Sequence, residues 1–193
     1  MSGRARSWFG WLPLWAMLLG LLALGTSNAP AQTKPAGELP KAEQERLVKK
    51  IQWLYQFSIY TEWPSEAFPN SEAPFVVGLL GTDPLGDLLE AITKKTVKNR
   101  RVEVKKCDSV ETALQCHLLF ISSSEKDKLS EILRRLKDAR ILTVGEAEDF
   151  TKLGGVINLT IGQSDPFEFS LQAEKRAKLV ISSDLKGCGK KVP

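Results

Sequence analysis

The sequence contains a single histidine, His117, so no histidine cluster can hold a metal ion and no histidine pair can activate water on one. His117 directly follows Cys116. Neighbours on a strand point to opposite faces, so these two cannot share an ion either, and a structural role is assigned to the ring. The nucleophile-elbow serine motif and the dinucleotide glycine fingerprint are also missing. The segment Gly81-Thr-Asp-Pro-Leu-Gly86 superficially resembles a phosphate loop, yet Asp87-Leu88 stand where Lys-Ser/Thr belong, and its glycines more simply permit a tight turn. The acids Glu146, Glu148 and Asp149 suit a solvated helix start. With no catalytic residue, cofactor or metal to assign, the chain does not read as an enzyme.

A long apolar run is lacking as well. The stretch from Trp11 to Leu24 is about 14 residues and contains Pro13, whereas a spanning helix needs roughly 20. Arg4 and Arg6 precede it and small residues ending in Ala29-Pro30-Ala31 follow, which is the layout of a cleavable signal peptide over residues 1–31. No cysteine follows the run, which removes a lipid anchor, and Ala5 separates the two arginines, which removes a twin-arginine signal. Net charge is only +4, and the leader takes two arginines and no acid with it. A balance so near neutral gives no argument for nucleic acid. Cysteine is scarce and odd in number, three in an exported product. Cys107 and Cys116 bracket one short connection and are the favoured disulfide, although three pairings are open; Cys188 sits in a Gly-Cys-Gly tail.

Aromatic residues, by contrast, crowd into residues 47–64. Leu47, Val48, Ile51, Leu54 and Tyr55 follow the spacing of one helix face and predict a core-facing stripe. Pro64 disfavours helical geometry at Trp63, so the helix should end near Thr61 or Glu62. Trp53, Phe57 and Tyr60 lie off the stripe as a second aromatic strip. That strip either sits under a neighbouring loop or is the candidate partner surface.

Residues 32–40 read as a flexible lead-in, residues 41–185 as one α/β domain and residues 186–193 as a basic tail. Apolar strands are expected at Phe75–Leu80, His117–Ile121 and Ile141–Val144, each followed by a helical segment, with an edge strand at Arg101–Lys105. Val156–Thr160 and Phe167–Leu171 form a hairpin around a turn at Gly162–Pro166. The fold class is therefore α/β, a three-layer α/β/α sandwich with a mostly parallel central sheet and an antiparallel hairpin near the C-terminal end. Thr82, Asp83, Ser122, Ser123 and Gly145 then fall at the carboxyl ends of parallel strands, a candidate small-ligand crevice. Lys94, Lys95, Lys98, Arg100, Arg101, Lys105 and Lys106 form a basic cluster that reads as solvated edge protection, or as peripheral contact with anionic lipid or an acidic partner.

Several segments in this order resemble the YfiR-like family of periplasmic regulators: Glu62-Trp63-Pro64, residues 78–86, Cys116–Ser122, Leu142–Gly145, Gly154–Leu159, and Phe169–Leu171 with Ile181-Ser-Ser183. The resemblance covers about Val48 to Leu185. It implies a non-enzymatic periplasmic protein that binds the periplasmic domain of an inner-membrane diguanylate cyclase and holds it inactive, with release raising cyclic di-GMP and favouring biofilm. Related domains resemble sensory modules attached to histidine kinases, which is the alternative. A family two-disulfide arrangement is not matched, because three cysteines allow only one intramolecular pair. The sequence leaves the oligomeric state open and is compatible with a dimer.

Overall fold

The computed structural model describes residues 39–192. The leader and most of the lead-in expected over residues 1–38 lie outside the described residues.

Helix α1 (Lys41–Ile59) begins six residues before the expected apolar stripe and stops just short of Thr61. Its buried face is Leu47, Lys50, Leu54, Phe57 and Ser58, whereas Val48 is 49% exposed and Ile51 and Tyr55 are only partly covered. The expected stripe is thus rotated. Phe57 carries the largest apolar surface on the helix interior, and Lys50 reaches carboxylates beneath it, so the helix turns these inward at the expense of Val48. Strand β1 (Thr61–Glu62) follows where a helix end was expected, and the chain then forms a loop that ends at Pro74.

The central sheet starts at β2 (Phe75–Leu80), followed by α2 (Leu85–Leu88) with a 3₁₀ turn, then β3 (Thr96–Val97) and β4 (Arg100–Cys107). The expected edge strand is therefore longer, and β3 folds back outside it through a two-residue turn in which Lys98 and Asn99 both take positive φ. Next come α3 (Val110–Ala113), β5 (Leu118–Ile121), α4 (Leu129–Leu136) and β6 (Leu142–Gly145). The acidic helix expected after β6 is instead a run of turns. The hairpin is present as β7 (Ile157–Leu159) and β8 (Phe167–Ser170), paired antiparallel. After α5 (Leu171–Arg176), β9 (Val180–Ile181) leaves the central sheet to pair with β1. The chain then forms α6 (Ser183–Lys186), and the expected basic tail over residues 186–193 contains β10 (Lys190–Val192), parallel to β8.

The eight strands lie in the order β10-β8-β7-β6-β5-β2-β4-β3. From β4 through β7 the neighbours are all parallel, and the direction of winding reverses between β2 and β5. Each face of the sheet carries its own core. One contains Leu47, Leu54, Phe57 and Phe167 beneath α1, and the other contains Leu119, Leu129, Leu133 and Phe150 beneath α3 and α4. This is the expected α/β architecture with helices on both faces. Phe150 is fully buried, and its ring lies so close to Gly145 and Gly155 that a Cβ at either would overlap it. The two glycines form a socket for the ring.

Candidate functional site

The aromatic strip of α1 divides. Phe57 is fully buried, with its ring 5.1 Å from Phe167 at 79°, so it belongs to the core and offers nothing to a partner. Trp53 is partly buried, stacked on Phe57 at 5.6 Å and edge-on to Phe167 at 5.2 Å. Tyr60 is 41% exposed. Trp53 and Tyr60 meet Gln52, Gln56, Leu185 and Cys188 in a half-open groove of about 540 Å³ between α1 and α6.

The second wall is not evident from the sequence, where the domain is expected to end at residue 185 and residues 186–193 read as a basic tail. A signal was present: Ser182 caps α6, its Oγ accepting from the Leu185 N–H at 3.2 Å. The other support is Glu174, 4% exposed, whose Oε1 accepts from the Ile181 N–H and from Lys186 Nζ, each at 2.8 Å. A buried carboxylate with a backbone and an ammonium donor fixes both β9 and α6 to the domain.

At the carboxyl edge, Thr82, Asp83, Ser122 and Ser123 come together at the winding reversal, with Gly145 on the next strand beyond β5. Several of their polar groups are already engaged within these loops. Ser122 Oγ donates to the Thr82 carbonyl at 2.7 Å, the Thr82 N–H donates to Ser124 Oγ at 2.9 Å, and Asp83 Oδ1 accepts from the Leu85 N–H at 2.8 Å. Gly81 holds φ +87°, which lets the chain turn sharply between these loops. Lys50 fills the remaining space. It is 3% exposed, 2.7 Å from Glu146 Oε2 and 3.5 Å from Asp83 Oδ2, above the Phe120 ring. Arg46, one turn earlier, reaches Glu146 at 3.4 Å from the solvent side. A cavity of about 370 Å³ opens beside this cluster at the ends of β6 and β7, lined by Glu146, Glu148, Asn158, Leu159 and Ile161 among others.

Cys107 and Cys116 are both buried and face each other with 3.7 Å between sulfurs. The hydrogen bond with Cys116, aided by Thr112 and then Lys105, pulls the Cys107 thiol down to about 7, while the same contact and burial push Cys116 up. Cys188 is exposed, on the groove.

His117 clamps the loop before β2. Its Nδ1 accepts from the Val76 N–H at 2.9 Å, so Nε2 carries the proton and donates to the Ala67 carbonyl at 3.1 Å. The ring stacks on Phe68 at 4.3 Å, and Arg100 covers the Phe68 ring at 3.9 Å while donating to the carbonyls of Asn70, Ser71 and Ala73. Burial holds the imidazole below its ordinary pKa. The basic cluster is dispersed in the same way: Lys98 pairs with Glu62, Arg101 with Glu103, Lys105 bonds Gln115 and Lys95 lies over Tyr55.

Among the described residues no helix is long and apolar enough to cross a membrane, and no group of three His, Cys, Asp or Glu could hold a metal ion. A protein-family model described as YfiR/HmsC-like matches residues 49–187, more than two thirds of the chain. None of the curated proteins matches the sequence.

Proposed function

Because the chain belongs to the YfiR/HmsC-like family, we propose that it is an exported, non-enzymatic periplasmic regulator that binds and restrains the periplasmic domain of an inner-membrane diguanylate cyclase controlling cyclic di-GMP. The observation that carries the reading is the groove between α1 and α6. It is half-open and more apolar than polar, with Trp53 and Leu185 as walls, Tyr60 at the rim, and the Gln52 and Gln56 amides and the Asp184 carboxylate as hydrogen-bonding groups, a composition suited to a partner's side chains. Cys107 and Cys116 stand as free thiols 3.7 Å apart, and their oxidation to a disulfide in an exported chain would tie the end of β4 to the start of β5.

The test is recovery from native membranes. The exported chain should retain an integral-membrane protein bearing a cyclase domain, and Tyr60→Glu or Gln56→Glu should release it while leaving the melting temperature unchanged. If no membrane protein is retained but a metabolite library raises the melting temperature, the second reading takes over, a small-ligand sensor module coupled to a histidine kinase. The cavity beside Glu146 supports that second reading.

A further inference from the structure

Glu146 is a carboxylate with only one of its oxygens in use. Oε2 takes both Lys50 at 2.7 Å and Arg46 at 3.4 Å, while Oε1 is buried and finds no donor among the described residues. The side chain is 10% exposed. Asn158, 8% exposed and on the neighbouring strand, likewise has a buried Oδ1 without a donor among the described residues. Both residues line the cavity of about 370 Å³ at the carboxyl ends of β6 and β7. A buried acceptor left without a donor costs roughly 1–3 kcal/mol, so two at one cavity mark a place where donors brought from outside would be bound.

We propose that this cavity is a binding site for a small primary amine, its ammonium group donating to Glu146 and its hydrocarbon stem lying on Leu159 and Ile161. Three features select that class. The orphaned atoms are all acceptors, so the ligand must bring N–H or O–H donors. The carboxylates of Asp83, Glu146, Glu148 and Asp149 stand against the cations of Lys50, Arg46 and Lys152, which leaves one negative charge for a monocation to balance. A metal dication fits poorly, because two side-chain cations already share the Glu146 carboxylate. Arg46 is the movable part of the site: its side chain is 45% exposed, whereas Lys50 is enclosed. The amine donates to Oε1 and competes with the Arg46 guanidinium, which holds Oε2, for the charge of the same carboxylate.

The site is separate from the groove between α1 and α6, so it stands or falls independently of any membrane partner. It is tested on the exported chain by thermal denaturation with n-butylamine, n-butanol and butyrate, which share a stem and differ in the head group. At about 10 mM, butylamine should raise the melting temperature and the other two should not. Arg46→Ala removes the competitor and should tighten butylamine binding several-fold, measured by calorimetry. Glu146→Gln should abolish binding, and a circular-dichroism spectrum like that of the unsubstituted chain shows that the variant is folded. Opposite effects at two side chains that touch each other are not what a loss of packing would give. An equal response to all three heads, no response to butylamine, weaker binding in Arg46→Ala, or butylamine binding that survives Glu146→Gln would each overturn the proposal, the first two leaving only water at the buried oxygens.

Discussion

His117 shows what one side chain can hold together. Replacing it with Phe keeps the stack on Phe68 but strips the Val76 N–H of its acceptor and the Ala67 carbonyl of its donor, at a cost of about 2–4 kcal/mol in chemical denaturation. The titration has a definite sign. Burial lowers the folded-state pKa below the ordinary value near 6.5, so the neutral ring's contribution is full above about pH 6.5 and is lost as pH falls through the depressed folded value. Stability measured from pH 7 downward should therefore decline more steeply in the natural chain than in His117→Phe. The thiols give a second prediction at this scale. Cys107→Ser and Cys116→Ser should destabilise the oxidised chain to the same extent, and the double variant no further, because either change removes the one proposed disulfide. Non-reducing peptide mapping should recover residues 107 and 116 in one linked pair, and a link from either to Cys188 would refute the assignment.

At the level of elements, α1 combines scaffold and surface within one turn. Phe57→Ala should cost about 3–5 kcal/mol, read from denaturant midpoints, while Tyr60→Ala should stay within about 0.5 kcal/mol. Lys50 is the less expected anchor. Lys50→Ala would leave Asp83 and Glu146 facing each other at the sheet edge without their shared cation, a loss of about 3–5 kcal/mol. The sequence does not reveal this, since hydropathy counts a lysine as solvent-facing and the apolar spacing puts Val48 inward instead. Long-range charge partners at residues 83 and 146 are not visible in a local window. Nor could spacing separate Phe57 from Trp53 and Tyr60, because burial at Phe57 is decided by Phe167, more than a hundred residues later.

For the whole molecule, the order of strands and their mostly parallel pairing were legible because apolar runs flanked by turn residues mark buried strands directly. The ends of the chain were not. Residues 182–192 are rich in lysine and glycine, a composition that hides α6 and β10, whose existence depends on the Glu174 clasp and on pairing with β8. One sheet separates two cores, so they should melt together. Beyond residue 31 the tryptophans are Trp53 and Trp63, both packed against the α1-side core. Leu133→Ala, on the opposite face, should shift the tryptophan-fluorescence and far-ultraviolet transitions by the same amount, and two separated transitions would contradict a single cooperative unit.

The socket around Phe150 has a consequence for inheritance. Neither Gly145 nor Gly155 can gain a methyl group while the phenyl ring stands between them, and the ring loses its fit if either wall moves. Positions 145, 150 and 155 should therefore drift as one character among descendants of this gene: a lineage that acquires alanine at either glycine should already carry a smaller side chain at 150, and the reverse order of events should be rare.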